Sequence, residues 1–368
     1  MDIFTEWGDQ NEMNGLVVFG YYGRGNLGDE TNLRELVAVI RRINQQAEIT
    51  VISANPEQTA RKFQVNAVAK FSLIDIIFAV WHADALIGGG GSLFQDRTSL
   101  RSLLYYSLII LLAKISRLRI LMYGQGMGPL HSFLGRILSG WILSMVDLIT
   151  VRDRLSIIAL SELNVRKPEV YITAEPLLTL PELPKTMINH YWLGHPTDKR
   201  FKVGLIIQED GFMRKKFWNQ LLECIGWDQN IELYLIAVDP KDVSFLRQLS
   251  YNSEVTLLPL ATEWEELQKA IGGLDVIAST RLHGLVAAVV QKVPCFGMAV
   301  DPKMEGFCLQ LGVPFLRPTS KMEWLTVGNR ILSYLCEPFE ECCPWASQLD
   351  FWRARALENQ LILKKFIS

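Results

Sequence analysis

From Leu16 onward, short apolar runs of β type alternate with segments whose apolar residues recur at helical spacing, the pattern of a parallel sheet covered by helices. The runs Leu16–Phe19, Ile49–Ile52, Ala85–Ile87, Arg119–Tyr123, Leu148–Val151 and Val170–Ile172 read as strands. Asn32–Ile43, Leu103–Ile115 and Leu155–Leu163 read as helices with one buried face. The alternation breaks at Pro181–Pro196, where three prolines sit among polar and aromatic residues, as in an interdomain linker. A second series follows: Val203–Ile207, Leu233–Ala237, Val255–Leu258, Leu274–Ala278, Cys295–Met298 and Pro314–Leu316. After Pro318 two helical stretches remain, and the last, Trp345–Phe366, is long enough to pack back across the first domain.

This pattern predicts two doubly wound, Rossmann-like α/β domains, spanning 15–180 and 197–320, with C-terminal helices over 321–368. Two such domains facing a cleft, closed by a C-terminal helix, is the GT-B-like layout. The 368 residues, 49% hydrophobic and 21% charged, suit a chain folded throughout, and 368 exceeds what one core usually supports. A formal charge of -2 without basic tracts points away from nucleic acid. The six cysteines show neither Cys-x-x-Cys pairing nor nearby histidines, so no metal site is expected and they read as reduced and structural. Met1–Asn14 lacks the basic and apolar regions of a signal peptide, and the expected compartment is the cytoplasm. Leu103–Ala113 is almost wholly apolar but too short to span a bilayer, which takes about 20 residues. It reads first as a buried helix. A second reading is peripheral contact with the inner face of the cell membrane, since Lys114, Arg117 and Arg119 adjoin it.

In open parallel sheets ligands bind beyond the carboxyl ends of the strands. Here those loops are rich in glycine. Gly23-Arg24-Gly25-Asn26-Leu27-Gly28 satisfies G-x-G-x-x-G, but Ile52 is followed by Ser53, Ala54 and Asn55 instead of the carboxylate that a nicotinamide dinucleotide's ribose requires. Gly88–Gly91 and Gly124–Pro129 repeat the device, and three such loops on one sheet edge suggest a cleft lined by backbone. Asn26, Asp29, Gln95, Asp96, Arg152 and Asp153 accompany them. Asp29 and Asp153 suit capping or charge-matching of the helices that follow, whereas Asp96 has no obvious helix start to cap. In the second domain, Ser279-Thr280-Arg281-Leu282-His283-Gly284 places a cation and an imidazole between a strand end and a helix start, a site suited to phosphate or carboxylate. Lys303 supplies a second cation from the neighbouring loop.

These motifs together resemble the polysaccharide pyruvyl transferases, a family whose bacterial members include the cell-wall enzyme CsaB. The carriers are Gly20–Gly23 with Gly25–Glu30, Gly88–Asp96, Gly124–Pro129, Val151-Arg152-Asp153, Arg281-Leu282-His283 and Asp301-Pro302-Lys303. The resemblance implies cofactor-free, metal-independent transfer of pyruvate from phosphoenolpyruvate to two hydroxyls of one sugar as a ketal, with a lipid-linked cell-wall precursor as acceptor in bacterial relatives. It implies that Arg281, Leu282, His283, Lys303 and Arg152 hold the donor, with His283, Arg281 and Glu175 catalytic. It implies that Asn26, Asp29, Gly89, Gly90, Asp96 and Gln125 face the acceptor. Two positions depart from the family pattern. Thr173-Ala174-Glu175-Pro176 carries glutamate where aspartate is usual, and Gln208 stands where an arginine is usual, with Arg214 a substitute from further on. The rival readings are a nucleotide-sugar glycosyltransferase of the same layout and a non-catalytic sugar-binding relative.

Overall fold

The computed structural model describes residues 13–96, 100–192, 200–209, 213–226, 228–249, 255–319, 324–334, 337 and 339–368. The first domain runs β1 (Gly15–Phe19), α1 (Leu27–Ile43), β2 (Glu48–Ser53), α2 (Pro56–Phe63), β3 (Asn66–Ala69), α3 (Leu73–Trp81), β4 (Ala85–Gly88), α4 (Leu100–Ile115), β5 (Arg119–Gln125), α5 (Phe133–Leu143), β6 (Leu148–Val151), α6 (Arg154–Glu162) and β7 (Glu169–Ile172). Its seven parallel strands lie in the order β3, β2, β1, β4, β5, β6, β7. The order reverses at β1, so α1 and α2 cover one face while α3 to α6 cover the other. The strands are near-continuous apolar runs because both faces are buried. β3, which the apolar pattern did not predict, is a short edge strand, Asn-Ala-Val-Ala, whose one bulky apolar residue is Val68.

The second domain runs α7 (Lys185–Trp192), β8 (Phe201–Ile206), α8 (Lys215–Gly226), β9 (Ile231–Leu235), α9 (Pro240–Leu246), β10 (Val255–Leu257), α10 (Trp264–Gly272), β11 (Val276–Ser279), α11 (Leu282–Val290), β12 (Cys295–Met298), α12 (Pro302–Leu311) and β13 (Phe315–Leu316). Its six parallel strands lie in the order β10, β9, β8, β11, β12, β13. Three further helices follow: α13 (Trp324–Ser333), α14 (Phe339–Cys342) and α15 (Leu349–Ile367). The expected linker is partly helical, since α7 packs against α10 through Ile188; residues 193–199 lie outside the described residues.

The C-terminal helix packs back as the pattern predicted, but starts at Leu349 instead of Trp345. Leu363, Phe366 and Ile367 join the core of the α1 face, while Trp345 and Leu349 belong to the core of the second domain, so one segment ties both domains together. Leu103–Ala113 lies within α4, with Leu103, Ile109, Ile110 and Ala113 buried under the sheet and Leu104 and Leu108 exposed. Among the described residues no helix is long and apolar enough to cross a membrane.

Candidate active site

The helix α1 begins five residues earlier than its apolar spacing suggested, because Asn26 caps it: the Asn26 Oδ1 accepts from the Asp29 N–H at 3.3 Å. Gly28 and Asp29 therefore sit in the first turn, facing the second domain, and Asp29 is not the cap. Glu30 folds back instead. Its Oε1 accepts from the N–H groups of Gly23, Arg24 and Gly25 at 2.8, 3.2 and 3.4 Å, so the amide cluster that a dinucleotide phosphate would need already holds a carboxylate.

The other two glycine loops chiefly pack against each other. Gly126 N–H donates to Gly91 O, Gly128 N–H to Phe94 O and Asp96 N–H to Pro129 O. Gly89 and Gly90 are not among the residues lining the cavity described below: a Cβ on Gly89 would lie 1.6 Å from the Tyr22 hydroxyl, and one on Gly90 would press on Asn32, so both are small to let buried side chains through. Gln125 is likewise a strut, fully buried, its Nε2 donating to Gly88 O, Gly89 O and Tyr123 O. Asp96 does serve a helix start. Its carboxylate accepts from His131 N–H, Ser132 N–H and Ser132 Oγ at 2.8, 2.7 and 2.6 Å, fastening the segment that leads into α5. Burial pushes this carboxyl up, but the hydrogen bonds from Ser132 and His131 outweigh it and hold it below the usual range.

In the second domain the Ser279 Oγ accepts from Arg281 N–H and donates to Arg281 O, which shapes the turn between β11 and α11. Arg281 pairs through both Nε and Nη2 with Asp242, which is nearly fully buried at the start of α9. Leu282 opens α11 and His283 follows on its first turn. The His283 ring lies on α1 of the first domain, where a Cβ at Gly28 would fall 1.8 Å from Nδ1; its buried Nε2 has no hydrogen-bond partner. Asp301 caps α12 through Met304 N–H, and Lys303 Nζ lies 3.4 Å from the Asp301 carboxylate. Gln208 donates from Nε2 to Thr280 O at 3.3 Å, while Arg214 is exposed just before α8 and is not among the residues lining the cavity described below.

These elements enclose a cavity of about 60 Å³ between the two carboxyl sheet edges, lined by Asn26, Gly28, Asp29, Gly91, Ser92 and Arg152 from one domain and by Gln208, Arg281, Leu282, His283, Asp301 and Lys303 from the other. Asn26 Nδ2 donates to Asp239 across the cleft at 3.2 Å, and Arg34 reaches Glu265 at 3.1 Å, so the domains stand closed. Glu175 is not among the lining residues. It is buried beneath Arg152, its Oε2 2.7 Å from Nη1, and holds the guanidinium from behind. Two cations of the cavity thus have a buried carboxylate behind them, Arg152 with Glu175 and Arg281 with Asp242, while Lys303 pairs with Asp301 on the cavity wall itself.

Asp29 makes no such pair. Burial pushes its carboxyl up to about 7, against the pull of Lys303 and Arg152. Burial also pulls the His283 imidazole well below its usual value, with Arg152, Lys303 and Arg281 adding to the effect, so the ring is neutral. Among the described residues no group of three His, Cys, Asp or Glu is placed to hold a metal ion.

The family model for polysaccharide pyruvyl transferase matches residues 26–302, which take in every residue lining the cavity except Lys303. The chain belongs to this family. No curated protein matches the sequence. Among solved structures it is similar to HepE from Anabaena in complex with UDP and glucose, at 11% identity and a TM-score of 0.66 over 95% of this chain and 98% of that one. A UDP-N-acetylglucosamine 2-epimerase from Listeria monocytogenes aligns at 11% identity and a TM-score of 0.64, over 95% of each chain. Sucrose-phosphate synthase from Thermosynechococcus elongatus aligns at 12% identity and a TM-score of 0.59, over 96% of this chain and 98% of that one. At such identities the likeness establishes the GT-B-like fold of this pyruvyl transferase family member and no more.

Sequence reasoning missed two supports of the site. Asp242 follows β9 at the same sheet edge as Arg281, and the rule applied to the other strand ends would have found it. Asn359 on α15 accepts from Thr150 and Thr173 hydroxyls and donates to Ala174 O, fixing the segment that carries Glu175; nothing near it in sequence signals this.

Proposed function

We propose that this chain transfers pyruvate from phosphoenolpyruvate to two hydroxyls of a glycan acceptor, giving a ketal and inorganic phosphate. The observation that carries the reading is the convergence of three cations, each held by its own carboxylate, on a small cavity that also holds a neutral, unpartnered imidazole and a carboxyl poised near pH 7. A compact donor with a phosphate and a carboxylate matches three cations; Glu175 and Asp242 orient Arg152 and Arg281 from outside the cavity lining.

In this scheme Arg281 and Lys303 hold the phosphate and Arg152 the carboxylate. Asp29, protonated in part near neutrality, gives its proton to the methylene carbon, which becomes a methyl group. A sugar hydroxyl attacks the adjacent carbon while His283 accepts its proton. The C–O bond to phosphate then breaks, the second hydroxyl closes the ring, and its proton leaves with phosphate as the hydrogen phosphate dianion. The proton on His283 restores Asp29, so protons and charge balance over the cycle. With the donor's charge met by side chains, turnover is expected to survive EDTA. Phosphate release that requires both phosphoenolpyruvate and glycan, unchanged by EDTA, supports the reading. UDP release from UDP-glucose with no use of phosphoenolpyruvate overturns it in favour of the glycosyltransferase alternative, and binding of glycan without turnover would favour a non-catalytic relative.

A further inference from the structure

The helices α3, α4 and α5 lie side by side on the face of the first sheet opposite α1. Each buries one apolar side under the sheet, as a surface helix should, yet each is also apolar outward. On α3 and the turn before it, Phe71, Ile74, Phe78 and Trp81 recur at helical spacing and are 64–82% exposed. On α4, Leu104 and Leu108 continue the stripe, and on α5 Leu134, Ile137 and Trp141 repeat it, all more than 40% exposed. Of the 23 large apolar residues exposed among the described residues, 13 fall on this one face, which is far from the scattered exposure of an ordinary surface.

The charge is as uneven as the apolar exposure. Between Arg97 and Val146, 50 residues that include all of α4 and α5, the chain has six of its 37 Lys and Arg and none of its 39 Asp and Glu; Arg97 lies outside the described residues and Arg119 stacks on Phe366 at the opposite face, which leaves Arg101, Lys114, Arg117 and Arg136 for this one. The rest of the chain is net acidic. Lys114 and Arg136 reach Asp147 and Glu162, in exposed pairs that bind weakly. α3 adds Asp75 as the only acid on the three helices. The N-terminal ends of all three helices, with Phe71, Leu100 and Phe133, rise to the same sheet edge as the cavity.

We infer that the α3, α4 and α5 face docks on an anionic lipid surface, with its apolar side chains at the headgroup boundary and its basic residues on the phosphates. The mouth of the cleft then opens toward the membrane, where the sugar of a lipid-anchored acceptor is presented. The docking stands whichever donor the cavity takes, because none of these side chains lines it.

The test is sedimentation of the full chain with vesicles of phosphatidylcholine alone or mixed with phosphatidylglycerol. The wild type is expected to sediment with the mixed vesicles and to be released in part by raised salt. Replacing Ile74→Glu together with Trp141→Glu is expected to lower the partition at least about tenfold, while leaving the circular dichroism and glycan-dependent phosphate release in detergent unchanged. A wild type that stays in the supernatant with both vesicle types overturns the inference. So does a wild-type dimer in light scattering that the double substitution makes monomeric without any vesicle binding, because a second copy then covers this face.

Discussion

Asp29 and Asp96 stand at the ends of neighbouring strands, each beside a glycine-rich loop, and in the sequence they are alike. In the structure they differ in every respect that governs chemistry. Asp96 accepts three hydrogen bonds at 2.6 to 2.8 Å and is held in its charged form to fasten the start of α5. Asp29 has no cation backing it, faces the cavity, and is pushed up to about 7 by burial. The glycines beside them set neither role. The surroundings of the carboxylate do: hydrogen bonds from His131 and Ser132 in one case, burial in the closed cleft with no hydrogen-bond or ion-pair partner among the described residues in the other.

Exchanging the two carboxylates for neutral groups is the strongest way to break this comparison. Asp29→Asn is expected to lower turnover by roughly 10²- to 10⁴-fold, the usual span for a general acid. Asp96→Ala should leave turnover nearly intact and cost about 1 to 2 kcal/mol of stability in denaturant unfolding. A turnover loss at Asp96 matching that at Asp29 contradicts the division. The pH profiles sharpen it. An acid must be protonated, so kcat/KM is expected to fall as pH rises through about 7, the value at Asp29 in the free protein, and Asp29→Asn should remove that limb. Stability follows the same sign: the raised carboxyl costs nothing at pH below about 4, where both states are protonated, and most above pH 7. Asp29→Asn is therefore expected to stabilise the protein at pH 8, on the order of 2 kcal/mol after allowing for its partial exposure, with no gain at pH 3.

Next in expected size is Gly28→Ala, whose added Cβ meets the His283 ring and must displace it or part the domains. A shift of about 1 Å in a proton-transferring group costs on the order of 10²-fold in turnover. A Gly28→Ala protein with normal turnover would show that His283 does not work from this position. Arg281→Ala is expected to act mainly on binding, raising the KM for phosphoenolpyruvate about 10- to 100-fold through the loss of a charged contact worth about 1.5 to 3 kcal/mol. It also leaves Asp242 buried without its partner, so the split between KM and kcat, read together with the melting temperature, separates donor contact from structural loss.

The two-domain layout was legible in the sequence because buried parallel strands leave long apolar runs and the linker prolines interrupt them. Arg281, His283, Asp29, Arg152 and Lys303 were legible because the fold puts strand ends at the cleft, and the structure does bring them to one cavity. What was not legible depended on who meets whom. Glu175 and Asp96 looked free in one dimension and are engaged in three, by Arg152 from 23 residues away and by Ser132 from 36. Glu30 filling the amides of the first loop, and Asn359 holding Thr150 from 209 residues away, leave no periodic trace.

The most direct test of the whole account is mass spectrometry of a glycan pool incubated with this protein and phosphoenolpyruvate. A glycan is expected to gain one pyruvate less one water, in step with one phosphate released, and both are expected to be lost in Asp29→Asn and His283→Ala. A glycan that gains a hexose from UDP-glucose and nothing from phosphoenolpyruvate would contradict it.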